Sequence, residues 1–98
     1  MNRELHIARS FKIDFKKLSK EEKLETREIV SKLQKDEPLE EKCHDHDLHG
    51  NYAGFRECHV RPDLLLVYKK TDNCEIHILA LARISSHTNI FDVSKSRK

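Results

Sequence analysis

Every glycine and proline of the chain lies between positions 38 and 62 (Pro38, Gly50, Gly54 and Pro62), and they divide the sequence into two grammars. Residues 10–37 hold no helix breaker and are dense in Lys and Glu, so they read as helical; the segments after Pro38 are short, apolar and bounded by turns. A chain punctuated in this way favours helices first and strands after, the α+β order. Ser10 is placed to cap a short helix whose Phe11, Phe15 and Leu18 recur at helical spacing. Ser19 with Glu22 three residues on forms a capping box. The helix it opens, 20–35, carries Leu24, Ile29, Val30 and Leu33 on an otherwise charged rod, with Glu28 and Lys32 paired at i, i+4, and Pro38 ends it. Residues 4–9 read as an edge strand. Strands follow near 54–60, at 64–70 and at 75–83, separated by Pro62 and by a turn at 71–73. The expected fold is α+β: two N-terminal helices packed on a small, mostly antiparallel twisted sheet, in one domain over 1–93 with a basic, disordered tail at 94–98.

The remaining composition narrows the partners. No apolar run approaches the roughly 20 residues of a membrane span, and the first residues lack the apolar core of a secretory signal. Three cysteines, Cys43, Cys58 and Cys74, are odd in number and widely spaced, which fits reduced thiols and a cytoplasmic protein. Nineteen basic residues face 17 acidic ones, a net charge of +2. That balance is too weak for tight, unaided nucleic-acid binding. Any such role needs a local basic site or a larger partner that presents the substrate.

Chemistry concentrates further on. Six of the seven histidines, 44, 46, 49, 59, 77 and 87, fall between positions 44 and 87, beside Glu57, Asp63 and several arginines. Histidine exchanges protons near neutrality, so the cluster points to acid–base work on an anionic substrate or to a metal site. Strand alternation puts Phe55, Glu57, His59 and Arg61 on one face, with Arg56, Cys58 and Val60 on the other. In the last strand it groups His77, Leu79, Leu81 and Arg83, and Arg83 could meet the first set across the sheet.

Asp45-His46, Leu48, Gly50, Tyr52, Gly54, Phe55-Arg56, Glu57, His59, Pro62-Asp63, Tyr68, Arg83, His87 and Phe91 follow in order. This run resembles the bacterial YafQ-type toxins of the RelE superfamily, which implies the RelE-like microbial RNase fold. The resemblance covers about 44–91, with a compatible helical front half. The chain departs from the family in Leu64, often Trp there, in Ser85, often Gly, and in Glu57, usually Asp. By the resemblance His46, His59 and His87 are the active-site histidines, with Glu57 and Asp63 the acids. Arg83 is then the phosphate-binding arginine and Phe91 the aromatic that positions substrate. It further implies the toxin of a type II toxin–antitoxin pair, a ribosome-dependent mRNA endoribonuclease that needs no metal or other cofactor. The implied partners are an antitoxin, the ribosome and mRNA, with operator DNA reached only through the antitoxin.

RNA supplies its own nucleophile, the 2′-hydroxyl, so the protein has only to move protons and offset charge on phosphorus. Lys12, Lys16, Lys17 and Lys20, spaced along the front helices, and Arg61 are candidate contacts to ribosomal RNA; a solvated face is the plainer reading of any one lysine. His6 and His77 read as structural or surface residues, His44 and His49 as exposed loop residues, Arg56 as an ion-pair residue, and Cys58 as core. Two alternatives stay open. One is a non-catalytic binding or repression module. The other is a zinc site built from Cys43, His44, His46, His49, Cys58 and His59, though these lack the paired spacing zinc sites usually show.

Overall fold

The computed structural model describes residues 2–72, 76–86 and 90, with only the backbone of Asn51; Cys74 and the 94–98 tail lie outside the described residues. The elements run β1 (Glu4–Ile7), α1 (Arg9–Lys16), α2 (Lys20–Gln34), β2 (His46–Asp47), β3 (Arg56–Arg61), β4 (Leu64–Asp72) and β5 (His77–Ser85), with single 3₁₀ turns at Glu41–Cys43 and Gly50–Tyr52. The strands form one sheet in the order β1-β5-β4-β3-β2. β1 runs parallel to β5 and every other pairing is antiparallel. This is the expected α+β arrangement, with one strand, β2, that no sequence signal announced. No helix among the described residues is long and apolar enough to cross a membrane.

α2 starts where its sequence says. The Ser19 hydroxyl accepts from the Glu22 N–H, and the Glu22 carboxylate accepts from the Ser19 N–H. Its other end is set before Pro38. Asp36 sits in the left-handed region at φ 58°, while its N–H bonds the Leu33 carbonyl and that of Glu37 bonds Lys32. This is the Schellman arrangement, which satisfies the last carbonyls without proline. α1 begins two residues earlier than Ser10 would suggest. Ala8 occupies the cap position with no side-chain bond, and the Ser10 hydroxyl donates instead to the Ala82 carbonyl. The apolar stripe of α2 also differs. Leu24 is 52% exposed, and Thr26 is buried in its stead, donating to the Glu22 carbonyl one turn back.

The sheet is covered on both faces. Toward the helices, Phe11, Val30, Leu33, Cys43, Cys58, Leu64, Leu66, Tyr68, Leu79, Leu81 and Ile84 form the main core. On the far face Leu65, Val67 and Ile90 pack with Leu48, Tyr52, Phe55 and Ala82 into a smaller cluster. Cys58 is wholly buried, and burial pushes its thiol pKa far up, so it is an inert core residue as expected.

One surface staple closes the helix end of the sheet. Arg3 bonds Asp36 at 2.7 Å and Asp72 at 2.8 Å, and Lys70 bonds Asp36 at 2.8 Å. The Arg3 guanidinium, then the Lys70 ammonium, lowers the Asp36 carboxyl from 3.8 to about 2. A carboxyl depressed in the folded state stabilises above its unfolded value and loses that contribution as pH falls through the folded one. Asn tolerates the left-handed backbone, so Asp36→Asn isolates the charge. The gap in unfolding free energy between the two proteins should be steady above pH 3.8 and close toward about pH 2. Urea titrations at several pH values check this, and a gap unchanged with pH rules the staple out.

Candidate active site

Register builds the site on the face away from the helices. His46 pairs with Glu57, Glu57 with Val67, and Val67 with Arg83, so one row across four strands carries an imidazole, a carboxylate and a guanidinium. His59 lies one row on, opposite Leu65 and then Ser85. Two strand spacings, about 10 Å, separate Glu57 from Arg83, with Val67 as floor between them.

Two β-bulges decide who belongs to this face, and each corrects simple alternation. In β3 the register shifts between His59 and Arg61, so Arg61 pairs with Leu64 on the helix side and reaches Glu25 at 2.6 Å. It does not share a face with Glu57 and His59. In β5 the shift between the Val67 and Tyr68 pairings makes Ala82 the extra residue. Arg83 thereby leaves the face of Leu79 and Leu81, both core residues on the helix side, and joins the row of Glu57. A bulge inserts one residue and so inverts every side chain beyond it.

Glu57 is buried, 5% exposed. Its Oε2 lies 3.2 Å from His46 Nε2 and 4.0 Å from His59 Nε2, and its Oε1 has no hydrogen-bond partner among the described residues. His46 Nδ1 lies 2.5 Å from the His44 carbonyl oxygen. A carbonyl only accepts, so Nδ1 carries a hydrogen, and Nε2 is turned toward the carboxylate. Both nitrogens of His46 are therefore engaged. The 4.0 Å from His59 to Glu57 is beyond hydrogen-bond reach, which leaves His59 the freer imidazole.

The loop that delivers His46 is held from below. The hydroxyl of buried Tyr68 donates to Asp45 Oδ1 at 2.5 Å, and Arg56 bonds Asp45 and, at 2.6 Å, Asp47. Burial and the Asp45 bond both raise the Tyr68 pKa, and the Asp45 bond raises that of Arg56. Arg56 is thus the structural ion-pair residue its position in the strand suggested.

Arg83 is held by a residue that the sequence reading passed over. Asp14 of α1 is 9% exposed; it takes Arg83 Nε at 2.6 Å and Nη2 at 3.2 Å, and accepts from the Ile84 N–H. The Asp14 bond raises the Arg83 pKa, with Tyr52 adding to it. The available signal was a charge between Phe11 and Phe15 on the apolar side of a helix. Asp63 lies in the turn between β3 and β4, outside the row of His46 and Glu57. With Asp14, Lys17 and Arg83 it lines a cleft of about 480 Å³ at that end of the sheet. His87 and Phe91 lie outside the described residues.

The zinc set suggested by the sequence is broken up by the fold. Cys43 and Cys58 are in the helix-side core, and among the described residues no three His, Cys, Asp or Glu side chains converge as a metal site. His44, expected to be an idle loop residue, meets the His59 ring edge to face with centroids 5.5 Å apart.

Comparison with known proteins adds the family. The family model described as bacterial toxin of type II toxin–antitoxin system, YafQ, matches residues 3–92. The mRNA interferase toxin YafQ of Escherichia coli K12 is 39% identical over 54 residues, 55% of this chain and 54% of that protein. The chain thus spans about half the length of the curated relatives it matches. Among solved structures, a copper-bound mutant toxin from Helicobacter pylori is 34% identical, over 93% of this chain and 100% of that one, with a TM-score of 0.76. A chain of the E. coli DinJ–YafQ toxin–antitoxin complex is 29% identical over 93% and 99% of the two chains, with a TM-score of 0.77. A family match over most of the chain and the fold of solved members agree: this chain belongs to the YafQ family of bacterial toxins of type II toxin–antitoxin systems.

Proposed function

We propose that the protein is a ribosome-dependent mRNA endoribonuclease that inhibits translation by cutting message in the decoding site. The observation that carries this is the face on which His46, Glu57, His59 and Arg83 stand in adjacent rows over an apolar floor. A base takes the proton of the RNA 2′-hydroxyl, its oxygen bonds phosphorus, and an acid protonates the 5′-oxygen as the P–O5′ bond breaks. His59, with no hydrogen bond to Glu57, and His87 supply the proton transfers. His46, facing Glu57 at 3.2 Å, forms a polar pair beside them. Arg83 offsets charge on the phosphorane, Asp63 tunes the cleft it shares with Arg83, and Phe91 places the substrate. No step of this scheme calls for a metal.

Affinity comes from the ribosome, with the exposed Lys12, Lys16, Lys17 and Lys20 on its RNA phosphates; Arg61, committed to Glu25, adds least. An antitoxin restrains the toxin. The groove between β1, α1 and α2, about 580 Å³, suits it: Leu5, Phe11, Phe15 and Val30 form an apolar floor, and Lys12 and Arg27 a basic rim. An acidic amphipathic segment complements both. Operator DNA is reached only through that antitoxin, and the cytoplasm is where toxin and ribosome meet.

The test is message programmed on ribosomes, beside free message, with 5′ ends mapped by primer extension. Cuts in the decoding site that need both ribosome and His87 are expected, as is their suppression by antitoxin and its relief by Arg27→Glu on the exposed rim of that groove. Equal cutting of free RNA removes the ribosome from the mechanism. No cutting in any arm leaves the non-catalytic binding module.

A further inference from the structure

His44 has no part in the scheme above, yet three features single it out. Its backbone lies at φ 49° and ψ 47°, the left-handed region that a residue with a Cβ occupies at a cost. Strain of this kind persists only where the surroundings enforce it, and it gathers at functional sites. Here it is enforced from both sides. Cys43 before it is buried in the core, and Asp45 after it is held by Tyr68 and Arg56. The His44 N–H also bonds the Glu41 carbonyl at 3.0 Å. Second, the His44 carbonyl oxygen receives His46 Nδ1 at 2.5 Å. Third, its ring meets that of His59 at an interplanar angle of 74°. Edge-to-face contact is a preferred geometry for two rings.

We propose that His44 is the positioning residue of the histidine cluster: its carbonyl sets the tautomer of His46 and its ring sets the plane of His59. The inference deepens the acid–base reading and rests on it. A carbonyl on Nδ1 turns Nε2 of His46 toward Glu57, so the His46–Glu57 pair is aligned through the main chain of His44. The ring contact limits rotation of His59, the imidazole that Glu57 does not hold. Only the left-handed backbone lets one residue do both, because a right-handed turn there swings carbonyl and ring away together.

The prediction separates the two functions of the residue. His44→Gly keeps the left-handed backbone and the carbonyl and removes only the ring. His44→Phe returns an aromatic ring that exchanges no proton. With ¹⁵N-labelled histidine, NMR of the full chain reads both imidazoles without substrate, and ribosome-programmed cleavage reads the rate. In His44→Gly the His46 Nδ1–H signal should persist, the His59 ring signals should move, and kcat should fall about 10- to 100-fold with KM nearly unchanged. His44→Phe should restore both the His59 signals and most of kcat. His59 signals unmoved in His44→Gly overturn the inference. So does a His44→Phe variant that regains the His59 signals but stays inactive, because His44 would then transfer protons itself. Wild-type protein that cuts no RNA defeats the acid–base reading alone, since the ring signals still decide the role of His44.

Discussion

Replacing His59 by glutamine is expected to lower the rate of message cleavage about 10²–10⁴-fold, the range a single proton-transfer group supplies. Of the described imidazoles on the site face, His46 has Nδ1 bonded to the His44 carbonyl and Nε2 3.2 Å from Glu57, whereas His59 stands 4.0 Å from Glu57. An imidazole already committed at both nitrogens has to break a bond before it can serve substrate. One that is free at its edge does not. Glutamine approximates the size and polarity of His59 without a titrating nitrogen, and the side chain is 26% exposed. Folding should therefore be little altered, and thermal melts of the variant verify this. Single-turnover cleavage on programmed ribosomes gives the rate. A loss under about tenfold contradicts the role of His59, since it lies below the contribution of a proton-transfer group.

The second large effect is on stability. Arg83→Ala should cost about 3 kcal/mol, because Asp14 is left as a nearly buried carboxylate without its partner. The range for breaking a buried pair, about 3–5 kcal/mol, is taken at its low end because Arg83 is 26% exposed. The Ile84 N–H still donates to Asp14 at 3.2 Å and offsets only part of the loss. Asp14→Ala combined with Arg83→Ala should recover part of the stability, since no unpaired charge then remains. Urea unfolding of the wild type, both single variants and the double closes the cycle. A cost below about 1 kcal/mol for Arg83→Ala places the pair among surface ion pairs and dissolves the link between α1 and the site.

The Asp14–Arg83 pair also shapes the chemistry. A guanidinium whose fork is taken by a carboxylate keeps a fixed position, but much of its charge is already matched. In the proposed reaction, phosphate would therefore meet an oriented dipole more than a free cation. The cleft that Arg83 shares with Asp63 and Lys17 places this half of the site at the far side of Val67 from His46. Under the proposed function, RNA crossing the face would pass His46 and His59, the apolar floor and Arg83.

Local signals proved readable wherever they act within a few residues. Ser19 and Glu22 cap α2 as their spacing says, and the three apolar segments after Gly54 became β3, β4 and β5. Signals failed where a distant partner outbid the local one. Ser10 is a good capping residue, but the Ala82 carbonyl across the fold takes its hydroxyl. Leu24 fits the helical stripe, yet it is left exposed while Thr26 is buried. Pro38 is a sound helix stop, but the left-handed Asp36 ends α2 first.

For the site the division is sharper. The sequence by itself determined the α+β order, the helix and strand segments, and through the matched motif the family and the set of residues worth watching. Residue types and short spacings carry that much because capping, periodicity and turns are local interactions. Only the tertiary structure decided which of those residues share a face. Two bulges, each set by how one strand seats against the next, send Arg61 to the helices and bring Arg83 into the row of Glu57. The same long-range packing put Asp14 behind Arg83 and His44 between two histidines. Such contacts are fixed by where whole strands and helices settle, and no window of sequence contains both partners.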